Sequence, residues 1–598
     1  MKRDTFLYLK LVLASLGTMC LVGWAGAQEA LRGPNWKSDP NSTYFFQTHP
    51  PLFRLEHAWE HDPEVNVDWT LRGKPANLTL DPDALRNGSK HECLLGTRQI
   101  IRNIKMRNIT KAEEVEAAIL HRLKQTEVFD VTFRSALVSA AILMADSPED
   151  LERLWLSEES NYETRMLVEK ALLDSRCSVA IDAWRGQLNH QPRSLREQLL
   201  AIQGLGAHGD TSDLPALKIC FFSPTSVLPI RLAAAQSMGQ LATEGLEATV
   251  RDALAEKEKL AGQADLIAAY MLKQHNSAES AELLGQILDS SNRAAQVTAF
   301  ESLTQHHPEI AKRNLKQFLV HPDPAARRLA LSFAVESDPN SSLGFLQEAL
   351  SDINLETRSQ ARIQLAALAT DDSLKQGVIE AAAKTIQEND PLAREQACIL
   401  VGEAKLSSLA AGMIEMLDSK AEATLVAAAW ALQNLELDAE SLQAVEDRMR
   451  RLTKRNFASK DWLPRSYALQ LSYLIDTLVI NRVDRIRPLL DQFIPKENAA
   501  PPPRAAAIWG LGIFEAGSQD GKLAQKLAER LHDEDPDIPE ETIIKYVSAI
   551  AMGRILHPSS EEQLDTHLDR PPFPIGLATQ WALQQFASQS DGNAEESR

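Results

Sequence analysis

Apolar and small residues recur along most of the chain at offsets of three and seven from a long polar residue, the spacing of one face of an α-helix. In "DPLAREQACILVGEA", residues 390–404, Arg394 marks position zero; Ala397 stands three on, Val401 seven on and Gly402 eight on. The frame returns at Arg231 (Ala234, Met238, Gly239) and at Arg504 (Ala507, Leu511, Gly512). With the arginine replaced it returns at Gln198 (Ala201, Leu205, Gly206) and Lys545 (Ser548, Met552, Gly553). Without the glycine it appears at Gln296, Arg327, Arg358 and Leu425. The intervals are 33 residues from Gln198 to Arg231, 31 from Gln296 to Arg327 and 31 from Arg327 to Arg358. Later units lengthen, to 40 residues from Leu425 to Arg465 and 41 from Arg504 to Lys545. A period of this size over most of a chain predicts a solenoid.

Each period predicts two helices and two turns. An apolar residue eight positions before zero (Leu288, Leu319, Leu350, Ile386, Leu417) closes the first helix, and a polar turn leads into the second. Asp323 and Asp390, each followed by proline, are expected N-caps: the carboxylate accepts backbone N–H groups that lack partners, and proline has no N–H to lose. Mid-helix glycine costs about 1 kcal/mol against alanine. Its return at Gly206, Gly239, Gly402, Gly512 and Gly553 therefore predicts close helix contacts, with alanine at the third offset serving the same end. Stacking of units is what would offset that cost, since one helix pair cannot bury its own apolar face.

Units of the form DPxxRxxAxxxLG resemble HEAT repeats, in particular the short HEAT-like units of phycobilisome lyases. The resemblance covers residues 113–586 and implies an all-α, right-handed α-solenoid of about 12–14 stacked antiparallel helix pairs, HEAT/armadillo-like. It further implies a protein-binding surface and says little else about function.

The flanks differ from the array. Lys2 and Arg3, an apolar run and Ala25-Gly26-Ala27 form the pattern of a secretory signal peptide over residues 1–27, with an uncleaved N-terminal anchor as the alternative. Export to the periplasm or medium is the expected localisation. Residues 28–112, with Trp36, Trp59 and Trp69, lack the frame and are expected to form an irregular cap on the first helices. "KENAAPPPR" (496–504) reads as an inter-unit loop and 587–598 as a disordered tail. Cys93, Cys177, Cys220 and Cys398 show no CxxC and are expected to be small buried residues.

Composition and charge narrow the function. The chain is 44% hydrophobic with a net charge of −19, against the clustered Lys and Arg that phosphate binding needs, so nucleic acid is not an expected partner. Beyond the N-terminal stretch no run approaches the ~20 apolar residues of a membrane span, so the mature chain is expected to have none. His57 and His61, four apart and flanked by Glu56 and Glu60, are weak metal candidates, as is His91. Deoxyhypusine hydroxylase, an enzyme on this fold, implies paired His-Glu dipeptides; this chain has His91-Glu92 alone. The arginines Arg231, Arg327, Arg358, Arg394 and Arg504 admit two readings, an exposed basic stripe or, as expected here, a ladder pairing with turn carboxylates of neighbouring units. No GxSxG, P-loop or GxGxxG motif stands in a strand–turn–helix context, and no catalytic constellation emerges. No cofactor is expected. The expected function is an exported, non-catalytic scaffold binding another protein along the concave face. The alternative is a metal-binding protein or enzyme whose site lies in 28–112 and the adjoining repeats.

Overall fold

The computed structural model describes residues 55–62, 65, 80–103, 111–125, 131–144, 151, 162–174, 180–189, 194–255, 260, 262–458, 462–535, 537–567 and 574–596. The signal-peptide stretch and Cys177 lie outside them. Among the described residues there are 29 α-helices and no strand. They form two compact units, one drawn from residues 75–329, the other from 330–598 together with the stretch around residue 60.

The first unit holds α1 (Pro82–Asn87), α2 (Lys90–Asn103), α3 (Ala112–Gln125), α4 (Val131–Met144), α5 (Tyr162–Asp174), α6 (Ile181–Asn189) and α7 (Leu195–His208). It continues with α8 (Leu214–Phe222), α9 (Leu228–Leu241), α10 (Glu247–Ala255), α11 (Ala264–Met271), α12 (Ala278–Ile287), α13 (Arg293–His306) and α14 (Pro308–Leu319). The division falls within α15 (Pro324–Ser337). The second unit holds α16 (Pro339–Ala349), α17 (Leu355–Leu368), α18 (Asp372–Gln387), α19 (Pro391–Glu403), α20 (Ala410–Met416), α21 (Glu422–Gln433) and α22 (Ala439–Ala458). It ends with α23 (Arg465–Ile480), α24 (Arg487–Leu490), α25 (Pro501–Phe514), α26 (Gly521–Leu531), α27 (Thr542–Ile555), α28 (Ser559–Asp565) and α29 (Pro574–Glu596).

The frame-bearing helices form a row. In the first unit α7 packs on α9, α9 on α11 and α11 on α13, while α8, α10 and α12 each back their sequence neighbour. In the second unit the row is α17, α19, α21, α23, α25, α27 and α29, backed by α18, α20, α22, α26 and α28. This is an α-solenoid of HEAT-like helix pairs in each unit. Its joints are set by the glycines. A Cβ on Gly206 would lie 2.7 Å from Ser237 Cα, on Gly239 3.0 Å from Met271 Cα, and on Gly402 2.9 Å from Ala431 Cα. On Gly512 it would lie 2.7 Å from Ala551 Cα and on Gly553 2.6 Å from Ala582 Cα. Each glycine thus lets the next helix of the row approach to backbone contact. Asp390 caps α19 by accepting from Leu392 N at 2.8 Å and Ala393 N at 3.4 Å, and Asp323 accepts from Ala325 N at 2.8 Å.

Four boundaries depart from expectation. Helical packing begins at residue 82, not 113: α1 packs on α3 and α2 on α4, with Leu85, Cys93 and Ile100 in one core with Val115 and Leu137. Asp81 caps α1 ahead of Pro82, so this helix carries the array's start signal without its arginine–glycine frame. Pro501–Pro503 form the first turn of α25 rather than a loop, since a first turn has no use for their missing N–H. The backbone of α29 runs to Glu596, ten residues into the expected tail, because extending a formed helix is far easier than starting one. Lastly, Leu55–Asp62 lies on late helices of the second unit, whereas α1 and α2, from the same N-terminal segment, pack on α3 and α4.

Candidate functional site

Leu55–Asp62 (LEHAWEHD) crosses the row formed by α21, α23, α25 and α27. Its own shape is local. Ala58–His61 forms one 3-10 turn, His57 N–H donates to the Glu60 carboxylate at 2.7 Å, and Glu60 N–H donates to His57 O at 3.0 Å. The helices hold both its main chain and its side chains. Tyr473 Oη donates to Leu55 O at 2.8 Å, and Trp430 Nε1 donates to Glu56 O at 3.2 Å. The Gln433 carboxamide, oriented by its neighbours, accepts from Ala58 N–H and donates to Asp476 Oδ2, both at 3.3 Å. The His57 ring stacks between Tyr473 (centroids 4.2 Å apart) and Trp59 (5.1 Å), and its Nδ1 meets Asp476 Oδ2 at 3.1 Å. At the far end Asp62 Oδ2 accepts from Trp509 Nε1 at 2.6 Å and from Arg554 Nη2 at 2.5 Å, a buried ion pair. Trp59 is 2% exposed. Beside the segment lies a cavity of about 430 Å³ whose walls include Trp430, Val479, Ile480, Arg482, Trp509 and Ile513.

Burial dominates the electrostatics here. It pushes the Asp476 carboxyl up, with the His57 hydrogen bond pulling the other way. The Tyr473 and Tyr546 hydroxyls are likewise raised, chiefly by burial and then by the Asp476 and Asp62 carboxylates respectively.

Ser472, His57 and Asp476 carry the residue types of a nucleophilic triad, but their geometry differs from one. Ser472 Oγ lies 3.3 Å from His57 Nδ1, the nitrogen that also meets Asp476. A triad needs the hydroxyl and the carboxylate on opposite ring nitrogens. Ser472 instead donates to Pro502 O at 3.0 Å, and all three residues are buried. The trio is a fastening between the segment and α23.

The histidine metal candidates separate. His57 is consumed by stacking and by Asp476, because it sits at the N-cap of a 3-10 turn rather than on the α-helix that would have paired it with His61. The His61 side chain lies outside the described ones. His91 is exposed on α2, in the other unit. Among the described residues no group of three His, Cys, Asp or Glu could hold a metal ion. Cys93, Cys220 and Cys398 are free and buried, and burial pushes the Cys398 thiol up to about 12.

The repeat arginines turn inward, to backbone. Arg231 donates to Ser223 O and Ser226 O, Arg327 to His321 O and Pro322 O, and Arg358 to Ile353 O and Asp352 O. Arg394 donates to Ile386 O, and Gln296, at the same offset, to Leu288 O. Carbonyls at a helix C-terminus lack intrahelical partners and sit at the negative end of the helix, so a guanidinium satisfies both needs. Four of the five arginines thus hold carbonyls of the turn between the paired helices, at the helix end itself for Ser223 and Ile386, where a ladder of carboxylate pairs was expected. Arg504 meets the Glu540 carboxylate through two nitrogens at 2.7 and 2.9 Å while also donating to Phe493 O and Ile494 O.

Sequence reasoning passed over Trp430, Gln433, Tyr473, Asp476 and Trp509. The signal was a departure from the frame. Offset eight, glycine in the tightest joints, holds Gln433 and Tyr473 in α21 and α23. Offset five, polar at Gln236, Glu301 and Ser332 but apolar at Ile363, Ile399 and Ile550, holds the larger Trp430 and Trp509 on either side of α23.

No family model matches the chain, and no curated protein matches it. Among solved structures it is similar to the Kap95:Nup1 complex, at 11% identity and TM-score 0.48 over 93% of this chain and 81% of that one. Yeast importin-β is similar at 11% identity and TM-score 0.44, over 85% of this chain and 70% of that one. Kap95p bound to RanGDP is similar at 10% identity and TM-score 0.43, over 85% and 75%. The helix pairs and their glycine joints carry the fold by themselves.

Proposed function

We propose that the protein is an exported, non-catalytic scaffold that binds another protein along the face of its frame-bearing helices. One observation carries the reading: in the second unit that face already holds a stretch of polypeptide, with Tyr473 and Trp430 donating to its main-chain carbonyls. Side chains that hold a main chain as well as the side chains along it suit a polypeptide ligand. Export rests on the basic, apolar and small-x-small order of residues 1–27. N-terminal sequencing of the secreted or periplasmic protein would begin at Gln28; a mature chain retaining Met1 would contradict cleavage after Ala27. Affinity capture with the full chain, from the envelope and secreted fractions, tests the scaffold itself. The same protein should return in independent captures. Empty captures alongside turnover of a small molecule would overturn the reading.

A further inference from the structure

The contacts of Leu55–Asp62 define the chemistry that its seat accepts. Two main-chain carbonyls are read by Tyr473 and Trp430, an imidazole lies against Asp476, an aromatic ring follows two residues later, and a carboxylate five residues after the imidazole meets Trp509 and Arg554. Gln433 and Tyr473 stand where the tightest joints carry glycine, while Trp430 packs its ring on Gly402 of α19 and so serves both the row and the segment. Emptying the seat would leave Asp476 and Arg554 buried without these partners, which is strongly unfavourable. An occupant must therefore bring both a donor and an acid. The cavity beside the segment is open to an apolar side chain between Trp430, Trp509 and Ile513, which gives an incoming chain a foothold before the segment leaves.

We propose that this face is a peptide-binding groove, that residues 55–62 are its in-cis occupant, and that the protein partner engages it by presenting a segment of the same chemistry. Such a segment carries a histidine or equivalent donor, an aromatic residue two positions on and an Asp or Glu five positions on. The inference rests on the scaffold reading and specifies its site. The segment is joined to the chain that holds it, so it competes at high effective concentration, and binding in trans is weak until the segment is loosened.

The test uses the full-length chain and a fluorescent peptide, Leu-Glu-His-Ala-Trp-Glu-His-Asp, followed by anisotropy. Wild type should bind it at least ten-fold more weakly than the Trp59→Ala/Asp62→Asn double variant. A peptide with alanine for tryptophan should lose binding to that variant, as should the wild-type peptide when Tyr473→Phe and Trp430→Phe are added. If the double variant fails to fold, Asp62→Asn alone, nearly isosteric, takes its place. Variants that melt cooperatively close to wild type yet bind no peptide would overturn the proposal and make the segment a fixed strut. A wild-type chain that sediments as a dimer exchanging segments between copies would also overturn it, by making the occupant a second copy. Failure here leaves the scaffold reading standing if capture still returns one protein whose footprint lies elsewhere. Empty captures sink that reading separately.

Discussion

Two regions of the second unit hold helices and chain together by opposite means. At the Gly402, Gly512 and Gly553 joints, small residues recur at one offset and backbone meets backbone. At the seat of Leu55–Asp62 the same row carries large aromatic and charged side chains, and a piece of chain more than 400 residues away in sequence fills the space. The joint is periodic and depends on shape. The seat is used once, and depends on hydrogen bonds and charge. A solenoid can thus keep one architecture while altering a few offsets to make a specific surface.

The largest expected effect is at the seat. Asp62→Ala removes the buried carboxylate that faces the Arg554 guanidinium and should cost about 3–5 kcal/mol, read as a lower urea midpoint for the second unit. A loss below about 1 kcal/mol would show that the ion pair is no fastening. Arg504→Met should cost about 2–3 kcal/mol by taking two charge-assisted bonds from Glu540, which is 6% exposed and keeps Glu541 N–H and the longer Arg530 contact. Arg394→Met removes only a carbonyl cap and should cost about 1 kcal/mol. That contrast separates Arg504, paired with Glu540, from Arg394, which holds a carbonyl.

Buried carboxyls provide the next test. Burial raises Glu169, in the first unit, and Glu395, in the second, from 4.5 to about 7. Because the folded state holds these protons more tightly than the unfolded state, their contribution is complete below about pH 4.5 and lost as pH rises through about 7. Each represents up to about 3 kcal/mol. Urea unfolding at pH 5 and pH 8 should show the loss, and Glu169→Gln with Glu395→Gln should remove most of it. An unchanged pH dependence would contradict the assignment.

The joints give the smallest effect and the sharpest sign. Gly512→Ala gains helix propensity but places its Cβ 2.7 Å from Ala551 Cα, for a net loss of about 1–3 kcal/mol. Gly344→Ala in α16, with nothing within 4 Å, should instead gain up to about 1 kcal/mol. Both stabilising would mean that the joints are looser than the geometry states.

How much of this was legible in the chain follows the same division. Arg394, Ala397 and Gly402 recur at fixed offsets, so the row, its caps and its joints could be read from spacing. The direction of the arginines could not, because a guanidinium reaches a carbonyl five to eight residues back as readily as a carboxylate in the next unit. The start of the array at α1 was missed since Asp81-Pro82 carries the cap signal without the frame. His57 was noticed for the wrong chemistry: spacing of four suggests a metal pair only on an α-helix, and the chain forms a 3-10 turn there. Its true partner, Asp476, lies 419 residues away, and no local pattern encodes such a pairing.

If the seat is the proposed groove, its occupant exchanges while the joints stay closed. Hydrogen–deuterium exchange on the wild-type chain measures that difference directly. The amides of Ala58 and Glu60 should exchange through a local opening at least ten-fold faster than the hydrogen-bonded amides of α23 and α25, about 1.4 kcal/mol less protection. Equal protection of the segment and these helices would contradict it, because the segment would then open only when the whole unit unfolds.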